Sequence, residues 1–308
     1  MGRYIVRRLL QMIPVVLGAT FLIFAMVYAL PGDPLAGKCG ERPCPAAFEA
    51  KFRAEHHLDD PLPVRYVNYL GNLGQGDFGT TFQGLDVREE LLQRYPITAR
   101  LAIIAVVMEL VVGVLAGVIA GIRKGGFVDS LVLLSTLVVI AIPVFVIGSV
   151  SQTIFGVNLG WFPPTVSSAG NWGELLLPGI VLGALSLAYV ARLTRTNLVE
   201  NLRADYVRTA IAKGLSRRRT IGIHTLRNSL IPVVTYVGAD FGALLGGAIV
   251  TESIFNIRGV GGFIFQGIHG RDGVVVVGAV TVLVIVYLVM NLIVDVLYGV
   301  LDPRISHD

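Results

Sequence analysis

Long apolar runs separated by short polar stretches set the plan of this chain. Six runs, Leu9–Leu30, Ile97–Gly121, Val128–Phe155, Leu175–Leu193, Ile231–Val250 and Val274–Tyr298, each reach the length of a membrane-crossing helix. About 20 apolar residues, at about 1.5 Å per residue, span a bilayer core of roughly 30 Å. The third run is long and is predicted to tilt, or to bend at Pro143. The pattern therefore predicts an all-α integral membrane protein with six transmembrane helices.

A polar island, Thr194–Asn228, interrupts the pattern between the fourth and fifth runs. It holds Arg195, Arg203, Arg208, Lys213, Arg217, Arg218, Arg219 and Arg227 against Glu200 and Asp205. Inside it, Asp205 and Gly214 read as the start and stop of a short helix. From Tyr206 to Lys213 this helix makes two turns, roughly 12 Å. Tyr206 and Ala210, with Val207 and Ile211, are predicted to form one small apolar face. A two-turn amphipathic helix on the basic side of a membrane protein reads as a docking knob for a cytoplasmic partner. The region 194–230 is thus a cytoplasmic coupling region, and the chain a moving part driven from outside itself.

The segment Pro31–Pro96 is the one sizeable extramembrane piece. Ala46–His57 reads as a short helix ended by Pro61-Leu-Pro63, Val64–Leu70 as another turn or two, Gly71–Gly84 as glycine-rich loop, and Val87–Arg94 as a helix leading to Pro96. It has too few apolar residues for a core of its own and is expected to lie as a lid on the bundle. Glycines recur every four residues at Gly113, Gly117 and Gly121, and again at Gly238, Gly242 and Gly246, with a shorter ridge at Gly179 and Gly183. Such ridges let helix backbones approach closely where no hydrophobic drive operates.

Composition agrees: of 308 residues, 54% are hydrophobic and 15% charged, which excludes an ordinary soluble protein. Orientation follows from the basic residues of the short loops. Arg3, Arg7 and Arg8 precede the first run, Arg123 and Lys124 follow the second, and the island follows the fourth, while Gly156–Glu174 has no Lys or Arg. Both termini are therefore expected in the cytoplasm, and the basic pI near 9.2 reflects topology rather than nucleic-acid binding. Arg7-Arg8 and Val27-Tyr-Ala29 resemble parts of a signal peptide, but the apolar run is too long, favouring an uncleaved anchor. Cys39 and Cys44 stand in the outside segment, where a disulfide is permitted. The adjacent His56 and His57 lack a metal-site spacing, so no metal is expected.

Two carboxylates fall near mid-span, where an ionisable group costs at least about 2.5 kcal/mol and demands a reason. Glu109 lies four residues before Gly113, on the face of that ridge, and reads as a structural, protonated or hydrogen-bonded group. Asp240 lies about 200° around its helix from the Gly238–Gly242 ridge. If that ridge packs inward on helices of this chain, Asp240 is expected to face a water-filled path or a second subunit, lining the translocation path, with a structural hydrogen bond as the alternative. Asn291 and Asp295 are expected to satisfy neighbouring helix backbones. The sequence has no G-x-x-x-x-G-K-[ST] phosphate loop, no G-x-S-x-G elbow and no H-E-x-x-H pair. A chain with six spans and no energy source fits a half-channel, not an enzyme.

At these residues the chain resembles the permease subunits of binding-protein-dependent ABC importers, in the dipeptide, oligopeptide and nickel subfamily. The resemblance runs through Tyr4-Ile-Val-Arg-Arg-Leu-Leu-Gln-Met-Ile-Pro14, Leu30-Pro-Gly-Asp-Pro34, Leu58-Asp-Asp-Pro-Leu62 and Gly76-Asp-Phe-Gly-Thr80. It continues through Tyr206-Val-Arg-Thr-Ala210, Lys213-Gly-Leu215 and His224-Thr-Leu-Arg-Asn-Ser-Leu-Ile-Pro232, and closes with Asn291-Leu-Ile-Val-Asp295 and Asp302-Pro-Arg-Ile305. The general permease signature begins Glu-Ala-Ala, with a Gly four positions after the second Ala. Gly214 keeps the spacing, but Arg208-Thr209-Ala210 replaces the triplet, so the acidic contact to the ATPase does not carry over to Arg208. Position 240, often Gln in similar chains, is Asp here.

The resemblance implies a type I importer permease fold in the cytoplasmic (inner) membrane, with no catalysis and no cofactor on this chain. It implies a second, related permease, two ATPase subunits or domains that bind Mg-ATP, and an extracytoplasmic binding protein that delivers substrate. Closure of the ATPases moves the coupling helix, with Asp205, Tyr206, Val207, Arg208, Thr209, Ala210, Lys213 and Gly214 at the contact. Peptides are the leading substrate class, with nickel complexes, glutathione or haem as others. The glycine-rich loop Asn256–Gly273, with Arg258, Gly261, Phe263 and Phe265, is expected to reach into the binding protein's cleft. The competing reading is a proton-coupled carrier or channel using Glu109 and Asp240, which predicts transport by this chain alone.

Overall fold

The computed structural model describes residues 2–28, 45–47, 50, 53, 60–167, 170–245 and 248–301. Cys39, Cys44, His56 and His57 fall outside the described residues, as does most of the expected helix Ala46–His57. In chain order the main helices are α1 Gly2–Tyr28, α2 Leu62–Gly74, α3 Val87–Ile122, α4 Phe127–Ala141, α5 Val144–Asn158 and α6 Leu176–Asn201. Then follow α7 Asp205–Ala212, α8 Arg217–Ser229, α9 Ile231–Leu245, α10 Ile249–Ile254, α11 Val260–His269 and α12 Gly273–Leu301. Among the described residues four helices are long and apolar enough to cross a membrane, and six if the bent pairs α4–α5 and α8–α9 each count as one span. Among the described residues the only extended pairing is one bridge, Thr80 to Asp86.

Local chemistry sets these boundaries. Asp86 caps α3, its carboxylate accepting from the backbone N–H of Arg88 at 2.7 Å and of Glu89 at 3.3 Å. The expected Val87–Arg94 helix does not stop at Pro96: one helix runs through it, anchored by buried Val87, Leu91, Ile97 and Leu101. The third run does break at Pro143, turning 100° between α4 and α5. Proline pushes its predecessor out of the helical region, and Ile142 is extended at φ −93°, ψ 126°. The amide of Gln152 then fastens α5, donating to the carbonyls of Pro164 at 2.7 Å and Ile254 at 2.9 Å.

Three expectations need correction. The polar island does not begin at Thr194, because α6 continues to Asn201 and Thr194 is fully buried. The fifth helix ends at Leu245, and Ile249 and Val250 belong to α10. The outside segment is also more than a lid. In α2, Tyr66 donates to the carbonyl of Leu17 at 2.8 Å and Tyr69 to the hydroxyl of Thr281 at 2.7 Å, which wedges α2 against the sides of α1 and α12.

The glycine ridges are the packing surfaces of the bundle. A Cβ at Gly117 would lie 2.5 Å from the carbonyl oxygen of Ala191, and one at Gly113 would meet Val190 and the carbonyl of Leu187. α6 reciprocates, Gly179 seating Ile104 and Gly183 the backbone of Ala105. Gly238 and Gly242 seat α12 through Val294 and Met290, while Gly246 falls outside the described residues.

The α4–α6 contact is pinned by charge. Arg195 grips Asp129 with two hydrogen bonds of 2.9 and 2.7 Å, and Asp129 also accepts from the Gly125 N–H at 2.8 Å. The Asp129 side chain is only 4% exposed. Replacing Arg195 with Leu strands that carboxylate, and the expected loss is about 3 kcal/mol. Thermal unfolding of the purified chain in detergent reads this, and adding Asp129→Asn should recover part of it. Asp295 finds a side chain rather than the expected backbone, pairing with Arg8 of α1 at 3.2 Å.

Candidate functional site

α7 stands out from the basic end of the bundle. The expected Asp205 cap is not made: Ala204 occupies the cap position at φ −68°, ψ 152° without a side-chain bond, and Asp205 opens the helix. The stop is as expected, with Gly214 left-handed at φ +77° and the Leu215 N–H reaching back to the Ala210 carbonyl at 3.2 Å. The expected apolar face is one arc of about 140° at 100° per residue, buried at its centre and exposed at its edges. Val207 and Ala210 turn inward and are buried, while Tyr206 is 37% and Ile211 61% exposed. Residues three apart share a helix face, so Val207 and Ala210 form the seat, packed toward α8. The opposite face carries Asp205, Arg208, Thr209 and Ala212, all exposed, flanked by Tyr206 and Ile211.

Around this knob Lys213, Arg217, Arg218 and Arg219 are exposed. Arg208 and Asp205 pair at 3.4 Å, but both are so exposed that the pair contributes little. Tyr206 ties the knob to α6, donating to Asn201 at 2.9 Å. α8 includes a π-turn, Thr220–Thr225, and leads directly into α9, bending by 45°. α7 is thus connected to two spans, to α6 through Tyr206 and to α9 through α8.

The structure brings together two residues the sequence kept apart. Asp240 lies opposite the Gly238–Gly242 seat, as helical phase requires, but it faces Glu109 of α3 and Ser186 of α6 within this chain. Glu109 is fully buried at the start of a π-turn, Glu109–Gly113. Neither of its carboxylate oxygens has a hydrogen-bond partner among the described residues, and Asp240 Oδ2 has none either. The two carboxyl groups interact, yet not in hydrogen-bond geometry. Of the expected structural Glu109, protonated or hydrogen-bonded, the hydrogen bond is not made among the described residues.

At the outer rim the expected flexible loop Asn256–Gly273 is a packed helix, α11, with its flanking turns. Gly261 and Phe263 are buried, and the guanidinium of Arg94 stacks over the Phe263 ring at 4.5 Å. Neither residue is free to enter another protein's cleft. Only Asn256, Arg258 and Phe265 of the named set are exposed. The glycines serve close approach: a Cβ at Gly261 would press on the backbone of Ile249, and one at Gly262 on the Ile257 carbonyl.

Sequence reasoning missed what holds this rim, the fully buried Glu252. Its Oε1 accepts from Thr98 at 2.8 Å and its Oε2 from the Gly262 N–H at 2.7 Å, while Thr98 accepts from the Val260 N–H at 2.9 Å. These are orphan donors at the start of α11, so one carboxylate caps the helix from outside it. Burial pushes the Glu252 carboxyl up to about 7, against the lowering effect of these donors. The signal available in sequence was an acidic residue seven positions before the first of three clustered glycines, Gly259, Gly261 and Gly262. Among the described residues there is no group of His, Cys, Asp and Glu able to hold a metal ion.

Comparison with known proteins adds a second line. Residues 113–307 match the family described as binding-protein-dependent transport system inner membrane component, and residues 1–102 match its N-terminal companion. The chain is 36% identical to the dipeptide transport system permease protein of Alkalihalophilus pseudofirmus, over 99% of both chains. It is 38% identical to a di/tripeptide transport system permease protein of Pseudomonas aeruginosa, over 99% of this chain and 98% of the other. It is 37% identical to the glutathione transport system permease protein of Salmonella typhimurium, over 100% of both.

Proposed function

Since the chain belongs to the family of inner membrane components of binding-protein-dependent transport systems, we propose that it is the translocation subunit of an ATP-driven importer of dipeptides or short oligopeptides. It is a multi-pass inner-membrane protein and not itself an enzyme. The peptide assignment is supported by relatives named for dipeptide, di/tripeptide and glutathione transport. In this reading both termini and α7 face the cytoplasm, following the basic loops. A second permease completes the passage, two ATPase subunits bind Mg-ATP and dock on α7, and an extracytoplasmic binding protein delivers the peptide.

One observation carries the mechanical part: α7 is a two-turn helix with a rigid seat and an unoccupied outer face. Val207 and Ala210 fix it to the chain, and Asp205, Arg208, Thr209 and Ala212 meet the ATPase. ATP-driven closure pushes α7, and the push reaches α9 through α8 and α6 directly. The glycine-seated contacts transmit it as a tilt, because closely packed helices move as bodies. A carrier that runs on protons without ATPases is set aside by the family.

Ala212 tests this. It is exposed at the last turn of α7, on the outer face, so Ala212→Trp should leave the folded chain intact. In the reconstituted complex the substitution is expected to cut ATP-driven uptake at least about tenfold, equivalent to about 1.4 kcal/mol of lost docking. Unchanged uptake would remove α7 as the contact.

A further inference from the structure

The Glu109–Asp240 cluster has no role in the push just described, and its chemistry is incomplete as it stands. Glu109 is 0% exposed with both oxygens unpartnered, and Asp240 Oδ2 is also unpartnered. No ion pair among the described residues reaches either group; the spanning helices have instead Arg195–Asp129, Arg8–Asp295 and Arg94–Glu90. Two acidic groups facing one another inside a membrane bundle either hold protons or take a cation from outside the chain.

The surroundings specify what kind. Tyr236 lies within range of both carboxyl groups and of Ser186 and Tyr189. The Tyr189 and Tyr236 rings stand 6.2 Å apart at an interplanar angle of 41°. Tyr189 is 45% exposed, so the cluster is open on that side and closed at Glu109. Carboxylates beside aromatic faces are suited to an ammonium group, which bonds to the oxygens through N–H donors and to the rings through its charge. The π-turn that begins at Glu109 adds an independent sign, because single π-turns inside helices concentrate at functional sites.

We propose that Glu109 and Asp240, with the rings of Tyr189 and Tyr236, form a site for a primary ammonium group, namely the α-ammonium of a peptide in transit. The inference rests on the peptide-import reading above. The site sits where the tilt of α9 against α3 and α6 would change the distance between its two acidic groups. It is occupied in one arrangement of the spans and opened in the other.

The test uses the whole transporter in proteoliposomes, its binding protein loaded to equal measured occupancy with a dipeptide or with the desamino analogue of that dipeptide. The wild type is expected to import the dipeptide about tenfold faster than the analogue, a factor in keeping with one charge-assisted contact. Glu109→Gln and Asp240→Asn should each bring the ratio near one by slowing the dipeptide alone, and Tyr189→Leu should lower it partway. If Asp240→Asn fails to assemble, Glu109→Gln and Tyr189→Leu decide. A wild-type ratio near one, a ratio retained in the carboxylate variants, or uptake of both compounds that depends on sodium would overturn the site. A wild-type complex that moves neither compound would overturn the import reading and the site with it.

Discussion

Gly117→Leu is expected to leave no stably folded bundle. A Cβ at this position would meet the Ala191 carbonyl oxygen at 2.5 Å, the Thr194 Cβ at 2.6 Å and the Arg195 N at 3.1 Å. Two of these are backbone atoms of α6, which cannot rotate aside as a side-chain tip does. The helices must separate, and separation also opens the contacts at Gly113 and Gly121 and those made from the other side by Gly179 and Gly183. Overpacking alone costs about 1–3 kcal/mol, and the lost dispersion along the whole seam adds to it. The expected total, about 3 kcal/mol or more, is a large fraction of a typical fold's stability. Gly18→Leu is the control, since a Cβ there would meet nothing within 4 Å. Size-exclusion and thermal unfolding in detergent read both; equal behaviour of the two variants would show that the α3–α6 seam is not what holds the bundle.

The second large effect is at Glu252. Removing its carboxylate with Glu252→Ala leaves the N–H of Gly262 without a partner and the Thr98 O–H without an acceptor in a buried site, and α11 loses its anchor. The expected loss is about 3 kcal/mol. Glu252→Gln can turn its carbonyl toward Gly262 and its amide toward Thr98, so it should lose about 1 kcal/mol. The two variants also differ from wild type in pH response. The Glu252 carboxyl titrates at about 7 in the folded chain against 4.5 for the ordinary side chain. Between these values the folded state holds the proton more firmly than the unfolded state. Stability is therefore greatest below the lower value, falls as pH rises to about 7, and is level above it. Melting temperature measured from pH 5 to 8 should show this fall in wild type, and Glu252→Gln should lack the part due to this residue. A wild-type melting temperature that rises over that range, with no difference in Glu252→Gln, would contradict the assignment.

How far the sequence could be read depended on whether a feature was local. The six apolar runs, the break at Pro143 and the stop at Gly214 follow from residues acting on their own backbone, and each is legible in a short window. The glycine ridges are legible for the same reason, since a four-residue repeat defines a helix face before its partner is known. Phase alone also puts Asp240 on the side away from its ridge. Phase does not say what waits there, because the meeting with Glu109 is decided by the packing of α3, α6 and α9. The Asn256–Gly273 segment misled for a different reason. Glycine allows both flexibility and close approach, and composition cannot tell one from the other. The buried backbones of Ile249 and Ile257 against Gly261 and Gly262 decide for close approach. On α7, helical phase gathers Tyr206, Val207, Ala210 and Ile211 on one side, and only the seat on α8 selects Val207 and Ala210 as its buried centre.

In the proposed reading this chain supplies part of the passage and the lever, and its partners supply the energy. The most direct measurement is peptide accumulation in sealed vesicles that carry this chain alone, or this chain with its second permease, ATPases and binding protein. The account predicts accumulation in the complete set only, strictly dependent on ATP. Accumulation by the chain alone, without nucleotide and driven by a proton gradient, would contradict it.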